Sequence, residues 1–263
     1  MTETIPNEIS ETYILPPELW PDISHIVTED DAPVGNLASE KQMRLLTEPL
    51  YTAWKGTQER PFLAAANVGV FASVHQPPLV PDVFLSLDVI APDDWWAKGH
   101  RAYFIWEFGK TPDLVIEIVS NREGGEDDRK LQAYARMGIP YYVIYDPQQE
   151  VQPDILRAYA LTPRREYEEI APDLFVGLDL GLTLWQGSYE NKEETWLRWQ
   201  DADGALIPTG AELSARERQR AQQERQRTEI AEQRAEAAEQ RAERLSARLR
   251  QLGLDPNEGD DVG

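Results

Sequence analysis

Residues 111–147 read TPDLVIEIVSNREGGEDDRKLQAYARMGIPYYVIYDP, and the fold is decided there. Leu114 to Val119 is an apolar, β-branched run of strand length, the pattern of a strand covered on both faces. It holds one carboxylate, Glu117, and burying that charge is costly unless a partner meets it. After a polar loop with Gly124 and Gly125, apolar residues recur at helical spacing from Asp127 to Met137. Ile139 to Tyr145 is a second buried-type strand, closed by Asp146-Pro147. A strand, a helix of about three turns and a strand within roughly 35 residues is the size of a βαβ unit with parallel strands. An α/β fold is expected.

Upstream, Phe62 to Val70 and Leu79 to Leu87 read as strands, the second with Pro81 near its entry, where a missing donor is tolerated. Before them Met43, Leu46, Leu50 and Trp54 fall at helical spacing behind Ser39, a cap candidate, with Pro49 placed to bend or divide the helix. The aromatic residues Trp95, Trp96, His100, Tyr103, Phe104 and Trp106 are expected to pack in the core or under loops, a base-stacking platform being the lesser alternative because few basic residues lie between them. Downstream, Ile155 to Ala160, Tyr167 to Ile170 and Leu182 to Gln186 look like antiparallel strands, and Trp196 to Gln200 with Gly204 to Pro208 like a last hairpin.

The composition changes sharply near residue 211, so four parts are expected: an irregular acidic arm over 1–34, a folded domain over 35–208, a charged helix over 209–252 and an acidic flexible tail over 253–263. The helix, rich in Ala, Glu, Gln and Arg, carries the near-repeat AEQRAEA, AEQRAER at 231–244 and an apolar seam through Leu245, Leu249 and Leu252. A weak coiled coil, and a homodimer formed through it, are the expectation. No run is long and apolar enough to span a bilayer, and the acidic N-terminus is unlike a signal peptide, so a cytoplasmic protein is expected.

The formal net charge is −21, and of the 26 basic and 47 acidic side chains only 10 and 12 lie from 211 onward, leaving −19 on the first 210 residues. Such a chain grips phosphate backbones poorly unless a divalent cation offsets its charge. Absent cysteines exclude disulfides, thiolate zinc and a cysteine nucleophile. No phosphate-binding glycine loop and no nucleophile-elbow serine motif is present, which removes support for nucleotide and serine hydrolysis. His25, His75 and His100 have no ligand-like spacing.

What remains is oxygen chemistry. If the strands carrying Asp82 and Glu117 are antiparallel neighbours, the start of the first lies beside the end of the second and the two carboxylates meet. With the backbone carbonyl of Ile118 and waters they would make a Mg²⁺ or Mn²⁺ site, such ions keeping much of their hydration. Asp113, four residues along the same strand, is about 14 Å from Glu117 and too far to share an ion. On the following helix Asp127, Lys130 and Tyr134 share one face, so Lys130 can reach back toward Glu117, with Asp127 and Tyr134 as auxiliary candidates. The ordinary reading of Lys130 is a solvated helix lysine or one paired with Asp127 or Glu126.

The ordered set PDVFLSL, PDLVIEIVS, an Asp-x-x-Lys-x-x-x-Tyr helix and GIPYYVIYDP resembles the Uma-two family, endonucleases placed within the restriction-endonuclease-like PD-(D/E)XK superfamily; the likeness spans about residues 35 to 255, including the tail motif LRQLGLDP. The resemblance implies an αβββαβ core, to which the chain adds antiparallel strands and the long C-terminal helix. It implies Asp82 as the PD aspartate, Glu117 as the second acid, and Glu40 at a place where such nucleases often carry an additional acidic group. Two residues beyond Glu117 the superfamily has lysine and this chain has Val119, so Lys130 would supply the charge from the helix. The expected function is a Mg²⁺-dependent endonuclease hydrolysing phosphodiester bonds of nucleic acid, DNA in the first place, with Asp82, Glu117 and Lys130 as its catalytic residues. The alternative is an inactive nuclease-fold module that binds partners through its helical tail.

Overall fold

The computed structural model describes residues 37–54, 60–119 and 129–252, together with positions 16, 19–22 and 56. The arm over 1–34 lies almost wholly outside the described residues, and the loop over 121–126, Asp127, His25 and the tail over 253–263 lie outside them altogether. The chain forms two compact units, Met1–Gly210 and Ala211–Gly263.

In the first unit α1 (Leu37–Pro49) leads through a π-helical turn, Leu50–Trp54, to β1 (Phe62–Ala66), β2 (Val70–Phe71), β3 (Val83–Leu87) and β4 (Tyr103–Phe104). There follow α2 (Ile105–Phe108), β5 (Leu114–Ile118), α3 (Leu131–Met137), β6 (Tyr141–Tyr145), β7 (Leu156–Leu161), β8 (Tyr167–Ile170), β9 (Leu180–Tyr189) and β10 (Lys192–Asp201). Six strands make one sheet in the order β1-β3-β5-β6-β7-β8. The pair β5 and β6 is parallel and every other neighbouring pair antiparallel. Read in chain order, α1, β1, β3, β5, α3 and β6 are the αβββαβ core of a restriction-endonuclease-like fold, with antiparallel strands added beyond it.

Both sheet faces are covered, which is why the central strands are apolar throughout rather than alternating. One face packs Val83, Leu85, Ile116, Ile118 and Val143 against Met43, Leu46 and Leu50 of α1 and against Leu182, Leu197 and Trp199 of the β9–β10 hairpin. The other packs Phe84, Val115, Val119, Tyr142 and Ile144 against Tyr134 of α3 and the aromatic rings of Tyr103 and Phe108. Gly138 ends α3 with φ 92°, and its amide donates to Tyr134 and Ala135, turning the chain directly into β6.

Several expectations are corrected in detail. Ser39 is a buried residue inside α1 rather than its cap, and the helix changes to π geometry immediately after Pro49, which has no amide to continue the ladder. Phe62 to Val70 divides at Asn67, whose φ is 54°, and Leu79 contributes only an isolated bridge to Val70, so β3 starts at Val83. Of the helix expected over 127–137, positions 129–130 form a π turn that runs into α3, and 127 and 128 lie outside the described residues. The last hairpin is β9–β10, turned by Glu190 and Asn191 with φ of 46° and 65° as a two-residue turn of positive φ requires; Gln200 and Leu206 form only a bridge. Among the aromatic residues Tyr103 and Phe104 are buried, whereas Trp95 and Trp96 are 56% and 82% exposed.

The described residues of the second unit up to Gln251 belong to a single long helix, α4 (Gly210–Gln251), in which none is buried. No described helix is long and apolar enough to cross a membrane.

Candidate functional site

The antiparallel register of β3 on β5 pairs Val83 with Ile116, Phe84 with Val115 and Leu85 with Leu114. One step further along the same register sets Asp82 opposite Glu117. Successive side chains alternate between faces, so both carboxylates project to the side that carries α3. Asp82 is pinned from two directions: its Oδ2 accepts the Ile118 amide at 2.6 Å, and its carbonyl accepts the Asn67 amide at 3.2 Å. The Ile118 N–H is thereby tied to the Asp82 side chain.

Glu117 is 1% exposed. Its two oxygens are each met by a donor from α3 or the turn before it: Tyr134 OH on Oε1 at 2.6 Å and Lys130 Nζ on Oε2 at 2.7 Å. The i, i+4 spacing of these two residues is what lets one helix face deliver both. Lys130 keeps 30% of its side chain exposed, so its ammonium stands between the buried carboxylate and solvent. Burial pushes the Glu117 carboxyl up to about 7; the Lys130 charge pulls it down, the Asp82 charge pushes it up, and the hydrogen bonds from Lys130 and Tyr134 pull it down again. Burial, followed by the negative charge of Glu117, raises the Tyr134 hydroxyl well above the ordinary phenol range, so it stays protonated and always donates. Behind it the Tyr134 ring packs on Tyr142 with centroids 5.2 Å apart.

The other sequence candidates lie elsewhere. Glu40 is on α1, which packs against the opposite sheet face, and its carboxylate accepts from Nε and Nη2 of Arg44 in a surface network with Lys41 and Glu190. Asp113 binds Lys110 at 2.6 Å and the Leu87 amide at 2.8 Å, at the far end of β5. His100 pairs with Glu107 at 3.3 Å. Val119 is 2% exposed, an apolar member of the cluster that includes Tyr134.

The two carboxylates that could hold a hard divalent cation are Asp82 and Glu117. Asp82 and Glu117 face one another closely enough for the charge of one to raise the pKa of the other, and an arrangement of like charges is relieved by a cation between them. Among the described residues no third acidic or histidine side chain joins them in a metal-binding group. Waters would complete the shell.

The model of the Uma2 family, described as "Putative restriction endonuclease", matches residues 29–169. The chain belongs to that family. The matched segment takes in α1, the three strands that follow in the core, α3, β6 and both carboxylates, while β9, β10 and α4 lie beyond it. No curated protein matches the chain.

Two features escaped the sequence reading. Gln42, 2% exposed, binds the backbone of Leu197 through both its amide oxygen and nitrogen, at 3.0 and 2.8 Å; a partner 155 positions away leaves no local signal. The exposure of Trp95 and Trp96 was equally hidden, since a tryptophan pair in sequence reads as core by composition.

Proposed function

We propose that the chain is a divalent-metal-dependent endonuclease that hydrolyses phosphodiester bonds of nucleic acid, DNA in the first place. The observation that carries the reading is the opposed pair Asp82 and Glu117 with Lys130 seated on Glu117. Asp82 and Glu117 would hold the cation, Mg²⁺ or Mn²⁺, together with waters and the Ile118 carbonyl. The cation supplies an activated water and neutralises phosphate charge.

The protein's own part is positional and electrostatic. Tyr134 and the Ile118 amide hold the two carboxylates in fixed orientations, so little reorganisation accompanies the reaction. Lys130, its side chain 30% exposed, presents a positive charge where a water oxygen attacks phosphorus and one P–O ester bond breaks. It stabilises the negative charge that develops there, and the leaving oxygen takes a proton from solvent. The lysine has moved from the strand to the helix, and its place in space serves the same carboxylate.

Nicking of supercoiled plasmid DNA in Mg²⁺ or Mn²⁺ at low salt tests the reading. Wild type nicks, and Asp82→Asn does not. A second reading has one observation behind it: the Lys130–Glu117 pair at 2.7 Å already neutralises the buried carboxylate, as a structural ion pair would. Under that reading the chain is an inactive nuclease-fold module that works through partners of its helix. Purified wild type that cuts no DNA or RNA in either metal decides for it.

A further inference from the structure

A cavity of about 380 Å³ opens on the sheet face that carries Asp82 and Glu117. Its floor is Leu63 and Ala65 of β1 and Phe84 of β3, its walls are Val68, Tyr103 and Phe108, and its rim carries Trp95, Trp96, His100 and Arg101. Phe84 is two residues along β3 from Asp82 and on the same face, a separation of about 7 Å. The volume lies within the range of small-ligand pockets, roughly 300–1,000 Å³.

The rim is exposed but not slack. Asp94 Oδ1 accepts the amides of Trp96 and Ala97 at 3.1 and 3.2 Å, and Arg101 Nε donates to the Trp96 carbonyl at 3.0 Å. Two tryptophans, 56% and 82% exposed, are thus held in place on tied backbone, with Ile90 78% exposed nearby in sequence. Keeping such surface in water is unfavourable, and a pinned aromatic pair of this kind marks a binding surface. Arg101 is the cation on the rim, with Lys98 three residues before it and Asp93 and Asp94 just ahead of the tryptophans.

We propose that this cavity receives an unpaired nucleobase, so that the substrate is a single-stranded or locally opened nucleic acid whose backbone passes Asp82 and Glu117. The proposal rests on the nuclease reading and adds the substrate class to it. An aromatic slot accepts any base, because every base has a π face, and the stacking is tolerant of sequence. A base held in a duplex is stacked and paired and must leave the helix to enter, at a cost that an already single strand does not meet. Arg101 on the rim offers a cation to a phosphate beside the seated base, which an apolar peptide would not need.

The test titrates the full chain with a short labelled oligodeoxythymidine, the same length as a blunt duplex, and an abasic strand with the same phosphates, in Ca²⁺ at low salt. Cleavage of single-stranded and duplex DNA in Mg²⁺ is followed alongside. The single strand binds more tightly than the duplex and the abasic strand. Trp95→Ala and Trp96→Ala each weaken single-strand binding by about tenfold or more, with circular dichroism and thermal midpoint unchanged because both side chains lie outside the core. Equal binding of all three ligands, indifferent to the tryptophans, overturns the proposal; if Asp82→Asn still abolishes nicking in that case, the hydrolase stands without it. Tryptophan-dependent binding of the single strand by a chain that cuts nothing supports the pocket and overturns the nuclease reading. A wild-type dimer dissolved by the tryptophan variants assigns the patch to a second copy of the chain and overturns the proposal.

Discussion

Glu117 concentrates the energetics of the molecule in one side chain, because it is a buried carboxylate whose charge is offset by a lysine from outside the core. Its carboxyl rises from 4.5 to about 7 on folding. The folded state therefore binds the proton more tightly than the unfolded chain between those values, and stability is complete below the lower and falls as pH climbs through the upper. In metal-free buffer the loss is about 3 kcal/mol, read by urea unfolding from acid to mildly alkaline pH. Glu117→Gln keeps the shape and removes the charge, so this slope flattens and the variant is more stable than wild type above neutrality; Mg²⁺ then stabilises wild type and leaves the variant unchanged. A variant with the wild-type slope would show that another group titrates. Lys130 yields the complementary prediction: Lys130→Met lowers plasmid nicking by roughly 10² or more, and Lys130→Arg restores it incompletely, since a planar guanidinium is larger and cannot give up a proton. Because Lys130 touches Glu117 directly, Lys130→Met also leaves that carboxylate more heavily protonated in metal-free buffer, which a pH titration of stability reads separately from cleavage.

The elements that build the site were legible because their signals are local. The apolar run of β5, the helical spacing of α3 and the apolar run of β6 each stand in a few residues, and the short span between the two strands led to their parallel pairing. The meeting of Asp82 and Glu117 followed from one assumption, an antiparallel β3–β5 pair, which the register satisfies. What was lost depends on partners far away or on backbone that departs from regular geometry. β3 begins four residues after Leu79 because Pro81 donates nothing and Asp82 turns its carboxylate, rather than its backbone, to the Ile118 amide. The division of β1 from β2 at the positive φ of Asn67, and Gln42 strapped to Leu197, carry no periodic signature. Within α3 the consequence is testable at Tyr134, whose ring packs on Tyr142 while its hydroxyl supplies the donor for Glu117 Oε1. Tyr134→Phe keeps the ring and removes the donor, leaving a buried carboxylate oxygen unmet at a cost of about 1–3 kcal/mol, larger at pH 8 than at pH 5 because only the ionised form needs both donors. Equal loss at the two pH values would assign Tyr134 to packing alone.

On the scale of the whole chain, the acidic first unit and the charged helix differ in how they are held together. The sheet unit has two packed faces, whereas α4 has 42 residues and buries none of them, so its stability comes from helix propensity and any partner that covers its seam. That seam is apolar only at its end: Leu245, Leu249 and Leu252 are 56%, 37% and 69% exposed, and the preceding positions of the repeat are alanines, which bury little. A two-stranded coiled coil over so thin an interface is weak, and its dissociation falls in a concentration range that sedimentation can scan. The full chain is expected to dimerise reversibly and a chain ending before Ala211 to stay monomeric, with Leu249→Glu in the full chain behaving as the truncation does because it places like charges across the seam. The truncated chain also separates the two readings of the molecule. If it nicks plasmid at the wild-type rate, α4 serves assembly and not the chemistry of Asp82 and Glu117; a full chain that remains a monomer at every concentration would leave α4 a single charged helix and remove self-association as its purpose.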